Sequence, residues 1–135
     1  MAGYSGTPLW KKLGYQPQLP ALVESAPDHY LTALALPTEV APKWCKRLDQ
    51  STRLVHVFST SLASLESRLR ALRKGVAPEC MVWVSWPKKA SGVATDITED
   101  RIRAVALPLG FVDVKVCAVD ETWSGLKLVI RKELR

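Results

Sequence analysis

The chain has 135 residues, 47% of them hydrophobic and 24% charged, a balance that fits one globular domain and excludes a disordered or fibrous chain. No apolar run nears the roughly 18 residues of a membrane span, and the first residues lack the basic and apolar layout of a secretory leader, so a cytoplasmic protein is expected. The net charge of +6 is uneven: Lys and Arg outnumber Asp and Glu by six to four over residues 1–60, by six to two over 61–90, and match them at seven to seven over 91–135.

Residues 5–14 read as a short helix capped by Ser5 or Thr7, with Leu9, Trp10 and Leu13 on one face and Gly14 as the stop. The apolar run 18–24 between prolines reads as a strand, 28–36 as a helix ended by Pro37, and 42–48 as a poorly patterned second strand. Residues 52–59 form a β-branched, apolar strand that leads at once into a helix over 60–75. In that helix Leu62, Leu65, Leu69 and Leu72 recur at three- and four-residue spacing, and Gly75 fits its end. After a turn at 77–79, residues 80–86 are apolar without alternation, as a central parallel strand covered on both faces requires. A helix over 95–107 follows, with an acidic first turn, Thr95, Asp96 or Thr98 as cap, and Pro108 and Gly110 closing it. The last strands are 111–119, with Val112, Val114, Val116 and Ala118 on one face, and 126–132, with Leu126, Leu128 and Ile130 together. Their link at 120–125 is too short for a crossover helix, so they pair antiparallel.

Alternating βα units imply a mostly parallel sheet with helices on both faces, a compact three-layer Rossmann-like α/β fold spanning 1–135 as a single domain. With its terminal antiparallel hairpin, the layout resembles the second half of Rossmann-like S-adenosylmethionine-dependent methyltransferases. That resemblance implies a cofactor lying across a glycine-rich turn after the first strand, where glycine permits close approach. Here the turn 24–28 is Glu-Ser-Ala-Pro-Asp, no G-x-G occurs, and only Asp49 stands where an acid could hold ribose hydroxyls. No cofactor is therefore expected, S-adenosylmethionine included, and the layout is read as a truncated relative that has lost the glycine-rich motif. Three motifs, Tyr4-Ser-Gly-Thr-Pro-Leu9, Trp83-x-x-x-Pro87-Lys88 and Trp123-Ser-Gly-x-Lys-Leu-Val129 with Arg131, are similar to a small bacterial family catalogued only as a domain of unknown function. That family implies a fold and brings no activity.

Ligands of such sheets gather at the carboxyl ends of the parallel strands. Ser59 and Ser61 follow one such end, and Trp86, Lys88 and Lys89 another. If the 111–119 strand runs the same way, Asp120, Glu121, Trp123 and Ser124 join that rim. Two lysines, two carboxylates, hydroxyls and two indoles then converge, and helix N-termini near Ser61 and Thr98 add donors for an anion. The reading is a non-catalytic module that binds an anionic small molecule or a protein partner, with Lys88 or Lys89 as counter-ion and Trp86 or Trp123 as stacking face. Plainer roles stand beside these: Lys88 and Lys89 as an exposed pair or bridged to Asp120 or Glu121, Asp120 capping its own turn, and Trp123 stapling the hairpin. His56, inside an apolar strand, reads as a satisfied core histidine, and Ser59 and Ser61 lack a G-x-S-x-G elbow or a partnered His.

The alternatives are a degenerate methyltransferase using Asp120 or Glu121 as base, and a basic nucleic-acid binder. Nucleic acid is the weaker reading, because Arg68, Arg70, Arg73 and Lys74 suit a solvated helix face and C-terminal turn. Cys45, Cys80 and Cys117, odd in number and widely spaced, read as reduced structural thiols. With His29 and His56 they make no metal-ligand spacing, so no structural zinc is expected. Monomer and homodimer both remain open.

Overall fold

A computed structural model describes residues 6–135. In chain order it runs α1 (Leu9–Leu13), β1 (Pro20–Glu24), α2 (Tyr30–Leu34), β2 (Lys43–Trp44), β3 (Leu54–Phe58), α3 (Leu62–Gly75), β4 (Met81–Pro87), α4 (Glu99–Leu109), β5 (Phe111–Ala118) and β6 (Trp123–Ile130). Among the described residues the strands form one sheet of order β2-β1-β3-β4-β6-β5. The first four are mutually parallel, while β6 is antiparallel to both β4 and β5. Consequently β5 points the same way as β4, and the turn that leaves it returns to the carboxyl-end rim.

The two-residue period of a strand divides the core into two layers. In β3, Val55 and Val57 face α3 and α4, joining Val82, Val84 and Trp86 of β4 and Leu65, Leu69 and Leu72 of α3. Leu54 and Phe58 face the other way, with Trp83, under Leu9 and Leu13 of α1 and Tyr30 and Leu34 of α2. The result is the α/β three-layer Rossmann-like architecture that the βα alternation predicts. Trp83 also fixes α1, its indole Nε1–H donating to the Leu13 carbonyl at 2.8 Å.

Several elements differ in extent. The helix expected over 5–14 starts at Leu9, behind Pro8, with no side-chain cap; Ser5 and Tyr4 lie outside the described residues. Gly14 ends it at φ 94, a left-handed conformation that glycine adopts at no steric cost. Helix α2 has five residues because Ala35 turns left-handed at φ 54. The strand expected over 42–48 keeps two residues before the chain turns back toward β3. In β5 a register shift between Asp113 and Lys115 breaks the alternation, so the expected common face is not formed and Val114 and Val116 are 53% and 47% exposed. The caps resolve to Ser61 for α3, accepting from the Ser64 amide, and Thr98 for α4, accepting from the Arg101 amide.

Candidate functional site

The β4–β6 register sets Pro87 against Trp123 and Trp86 against Ser124. Just beyond, the Lys88 amide donates to the Thr122 carbonyl at 2.7 Å, so the loop after β4 and the β5–β6 turn share one rim. The Lys88 ammonium does not meet a carboxylate there: Nζ donates to the backbone carbonyl of Asp120 at 2.7 Å. Neither an ion pair with Asp120 or Glu121 nor an exposed lysine pair describes it. Lys89 is exposed, as is Glu121 at the turn.

Asp120 organises the turn. Its Oδ1 accepts from the amides of Thr122 and Trp123 at 2.8 and 2.7 Å, the local capping role that its type and position suggest. Its Oδ2 lies 2.6 Å from Nε2 of His29, which comes from the loop between β1 and α2. Burial opposes the charge on Asp120, but the hydrogen bonds from His29, Trp123 and Thr122 outweigh it and hold the carboxyl below the usual range. His29 is the rim residue that sequence reasoning missed. It sits in a polar loop 91 positions from its partner, and no spacing signals the pair.

The two indoles do not converge. Trp86 is 7% exposed and belongs to the layer beneath α3 and α4. Trp123 packs on the opposite face, its ring edge-to-face with Phe58 at 5.1 Å. Adjacent register positions on paired strands point to opposite faces, which is why both indoles can stand at one strand end without facing one site. Ser124 takes the face of Trp86.

The expected anion donors at the start of α3 are already engaged. Ser59 Oγ donates to the Ser61 carbonyl at 3.0 Å and accepts from the Ser61 amide at 3.2 Å. The Ser61 hydroxyl caps the helix, and the Leu62 amide donates to the carboxylate of Asp96 at 2.7 Å. Asp96 thus supplies from within the chain the negative charge that the helix dipole favours. At the start of α4, Thr98 caps and Glu99 pairs with Arg103, which also binds Asp100 and Asp113.

Topology marks a different position at the carboxyl-end rim. From β1 the chain moves outward to β2, and from β3 it moves the other way to β4, so the loops after β1 and β3 diverge at a switch point. Open parallel sheets bind ligands at such points. Around it lie Ser25, Asp28 and His29 after β1, and Ser59 and Thr60 after β3. Ser25 has φ 59, the left-handed bend that glycine would ordinarily supply. Glu24, at the end of β1, is held by a two-pronged bond from Arg68, Nε to Oε1 at 2.7 Å and the second nitrogen to Oε2 at 2.5 Å. Asp49 is not at this switch point. It precedes the amino end of β3 and accepts from the Ser51 amide at 2.7 Å, while Gln50 beside it reaches the Gly75 carbonyl at the far end of α3.

The core holds a buried polar chain. Tyr15 and Tyr30 share a hydroxyl hydrogen bond of 2.8 Å, Tyr30 meets His56 Nδ1 at 2.8 Å, and His56 Nε2 meets Ser85 Oγ at 2.7 Å. His56 is fully buried and stacked on Phe58 at 4.3 Å. Burial pushes its imidazole down to about 3, and both ring nitrogens are occupied, the satisfied core histidine that the strand context predicts.

No protein-family model matches the chain, and no curated protein sequence matches it significantly. Solved structures do match in fold. A SAM-dependent methyltransferase from Aquifex aeolicus superposes with TM-score 0.67 at 12% identity, covering 90% of this chain and 87% of the other. The magnesium protoporphyrin IX methyltransferase from Synechocystis PCC 6803 with bound SAH matches at TM-score 0.58 and 11% identity, over 91% of this chain and 78% of that one. The same enzyme with bound SAM matches at TM-score 0.57 and 11% identity, over 91% and 74%. These likenesses run through nearly the whole chain, and the fold is methyltransferase-like. They also overturn the expectation set against S-adenosylmethionine, since the fold matched is one seen with SAM and SAH bound. The expectation rested on the glycine missing from the 24–28 turn, yet the chain still bends left-handed there, with Ser25 at φ 59. What these observations establish for this chain is its fold.

Proposed function

We propose that the protein is a reduced methyltransferase-like enzyme that binds S-adenosylmethionine, or a kindred adenine nucleoside, at the carboxyl ends of β1 and β3. The observation that carries this reading is the switch point at the strand carboxyl ends, entered through the left-handed turn at Ser25. Exposed Asp28 and the hydroxyls of exposed Ser25 and Thr60 are the chemistry available there for ribose and amino-acid groups, and half-buried Trp123 supplies apolar ring area. The donor, when bound, supplies an activated methyl group. Isothermal calorimetry tests the reading: S-adenosylmethionine and S-adenosylhomocysteine are expected to bind with Kd on the order of 1–100 μM, and Asp28→Ala to weaken both about tenfold, near 1.4 kcal/mol. No heat from either with folded protein overturns it.

The reading as a non-catalytic binder of an anion or a protein partner keeps exposed Lys89 in its favour, but Lys88 and the start of α3 are already satisfied internally. The motif likeness to the small bacterial family and a cytoplasmic location fit either reading. Cys45, Cys80 and Cys117 are all free thiols, and no helix among the described residues is long and apolar enough to cross a membrane.

A further inference from the structure

The two histidines have opposite surroundings. His56 is sealed in the core with both nitrogens bonded, whereas the His29 side chain is 57% exposed at the rim. Its Nε2 faces Oδ2 of Asp120 at 2.6 Å. Asp120 is held from three further directions: two turn amides on Oδ1, and the Lys88 ammonium on its carbonyl. An ionised carboxylate only accepts hydrogen bonds, so a neutral His29 carries its proton on Nε2 and its lone pair on Nδ1. Nδ1 has no hydrogen-bond partner among the described residues. The pair also spans the rim, because His29 follows β1 while Asp120 precedes β6, with β3 and β4 between those strands.

We propose that His29 is the proton-accepting residue of the rim, taking the proton of a hydroxyl-bearing small molecule at Nδ1, with Asp120 as its positioning residue. The step balances: the O–H bond breaks, an N–H bond forms at Nδ1, and the electron pair stays on the oxygen. The imidazolium then lies between solvent and the Asp120 carboxylate, which was already oriented before the proton arrived. An oxygen so deprotonated is the stronger nucleophile toward an alkyl donor. The proposal rests on reading this rim as the small-molecule site of a methyltransferase-like protein, and it adds the substrate class, an acceptor with an acidic hydroxyl.

The probe is p-nitrophenol, whose visible band distinguishes phenolate from phenol, mixed with the full chain at neutral pH, where an ordinary imidazole is mostly unprotonated, and read against the free dye at the same pH. Wild-type protein is expected to raise the phenolate band above that of the free dye. His29→Gln keeps a donor for Asp120 but cannot take the proton, and is expected to lower that increase about tenfold or more. Asp120→Asn keeps an acceptor for the two turn amides while turning an NH₂ toward His29, and is expected to lower it several-fold. Acylation by diethyl pyrocarbonate gives a second readout. One histidine reacts quickly in the wild type, and the same histidine reacts several-fold more slowly in Asp120→Asn. A wild-type mixture with no more band than the free dye, the full wild-type increase in a His29→Gln variant that melts like wild type, or equal acylation rates would overturn the proposal. Calorimetry with S-adenosylmethionine separates it from the reading beneath it. Heat without a His29-dependent band removes the proton acceptor and leaves the donor site, and a band without heat does the reverse.

Discussion

His56 shows how a single buried side chain sets a pH limit on the fold. Its imidazole is depressed to about 3 in the native state against 6.5 for the free group, so the unfolded chain binds the extra proton. Its contribution is complete above the unfolded value and is lost as pH falls toward the folded one, by about 1.4 kcal/mol per pH unit. Urea midpoints measured from pH 7 down to 5.5, above the carboxylate range, are expected to fall along that slope, and His56→Gln to flatten it. A wild-type curve as flat as the variant's would contradict the assignment. His56 was legible as a core histidine because apolar residues flank it in β3. Its partners were not, since Tyr30 and Ser85 are 26 and 29 positions away and meet it only once the strands pair. Lys88 was legible as a rim residue for a similar reason, while its choice of a carbonyl over a carboxylate depended on the exact height of the β5–β6 turn.

At the scale of elements, α3 is the one the sequence displayed most openly, through its leucine spacing and its serine cap. Its first turn also depends on Asp96, which arrives from a loop 34 positions away. Asp96→Ala is expected to cost about 1 kcal/mol in thermal or urea unfolding, the usual worth of a lost cap with its charge at a helix start. Asp96→Asn, which keeps an acceptor oxygen, should cost less. The β5–β6 hairpin holds a like-charge pair, Lys115 directly across from Lys127. Burial first and Lys115 second push the Lys127 ammonium down from its ordinary value. Lys115→Glu replaces repulsion with attraction across the ladder and is expected to stabilise by about 0.5 kcal/mol, less in high salt. No gain at low salt would show that the two side chains splay apart. The faces of β5 were misread because a bulge leaves no compositional trace: valines at alternate positions still look like one buried face when the register slips between them.

For the whole molecule, fold class was legible because βα alternation followed by a short final link admits few topologies. The placement of β6 inside the sheet was not, since a hairpin satisfies its own ladder whichever of its strands lies against β4. The reach of β2 was also hidden: its sequence resembles a strand over seven residues, but the chain leaves the sheet after two. The sheet is therefore expected to open unevenly. Native-state hydrogen exchange should find the slowest amides in β3, β4 and β6, which are paired on both sides along most of their length, whereas β2 covers only two residues of β1, and fast ones in β2 and α2. Protection of β2 equal to that of β4 would contradict this order.

The interior position of β6 also sets the order of events during synthesis. Strand β4 leaves the ribosome with one edge paired to β3 and the other bare, and β5, emerging next, has no partner until β6 exists. The sheet therefore cannot be finished in the order in which its strands are made: β5 has no place until β6 stands between it and an edge of β4 that has waited through the making of α4 and β5. In that interval the apolar flank of β4 is the surface most open to a chaperone or to another unfinished chain.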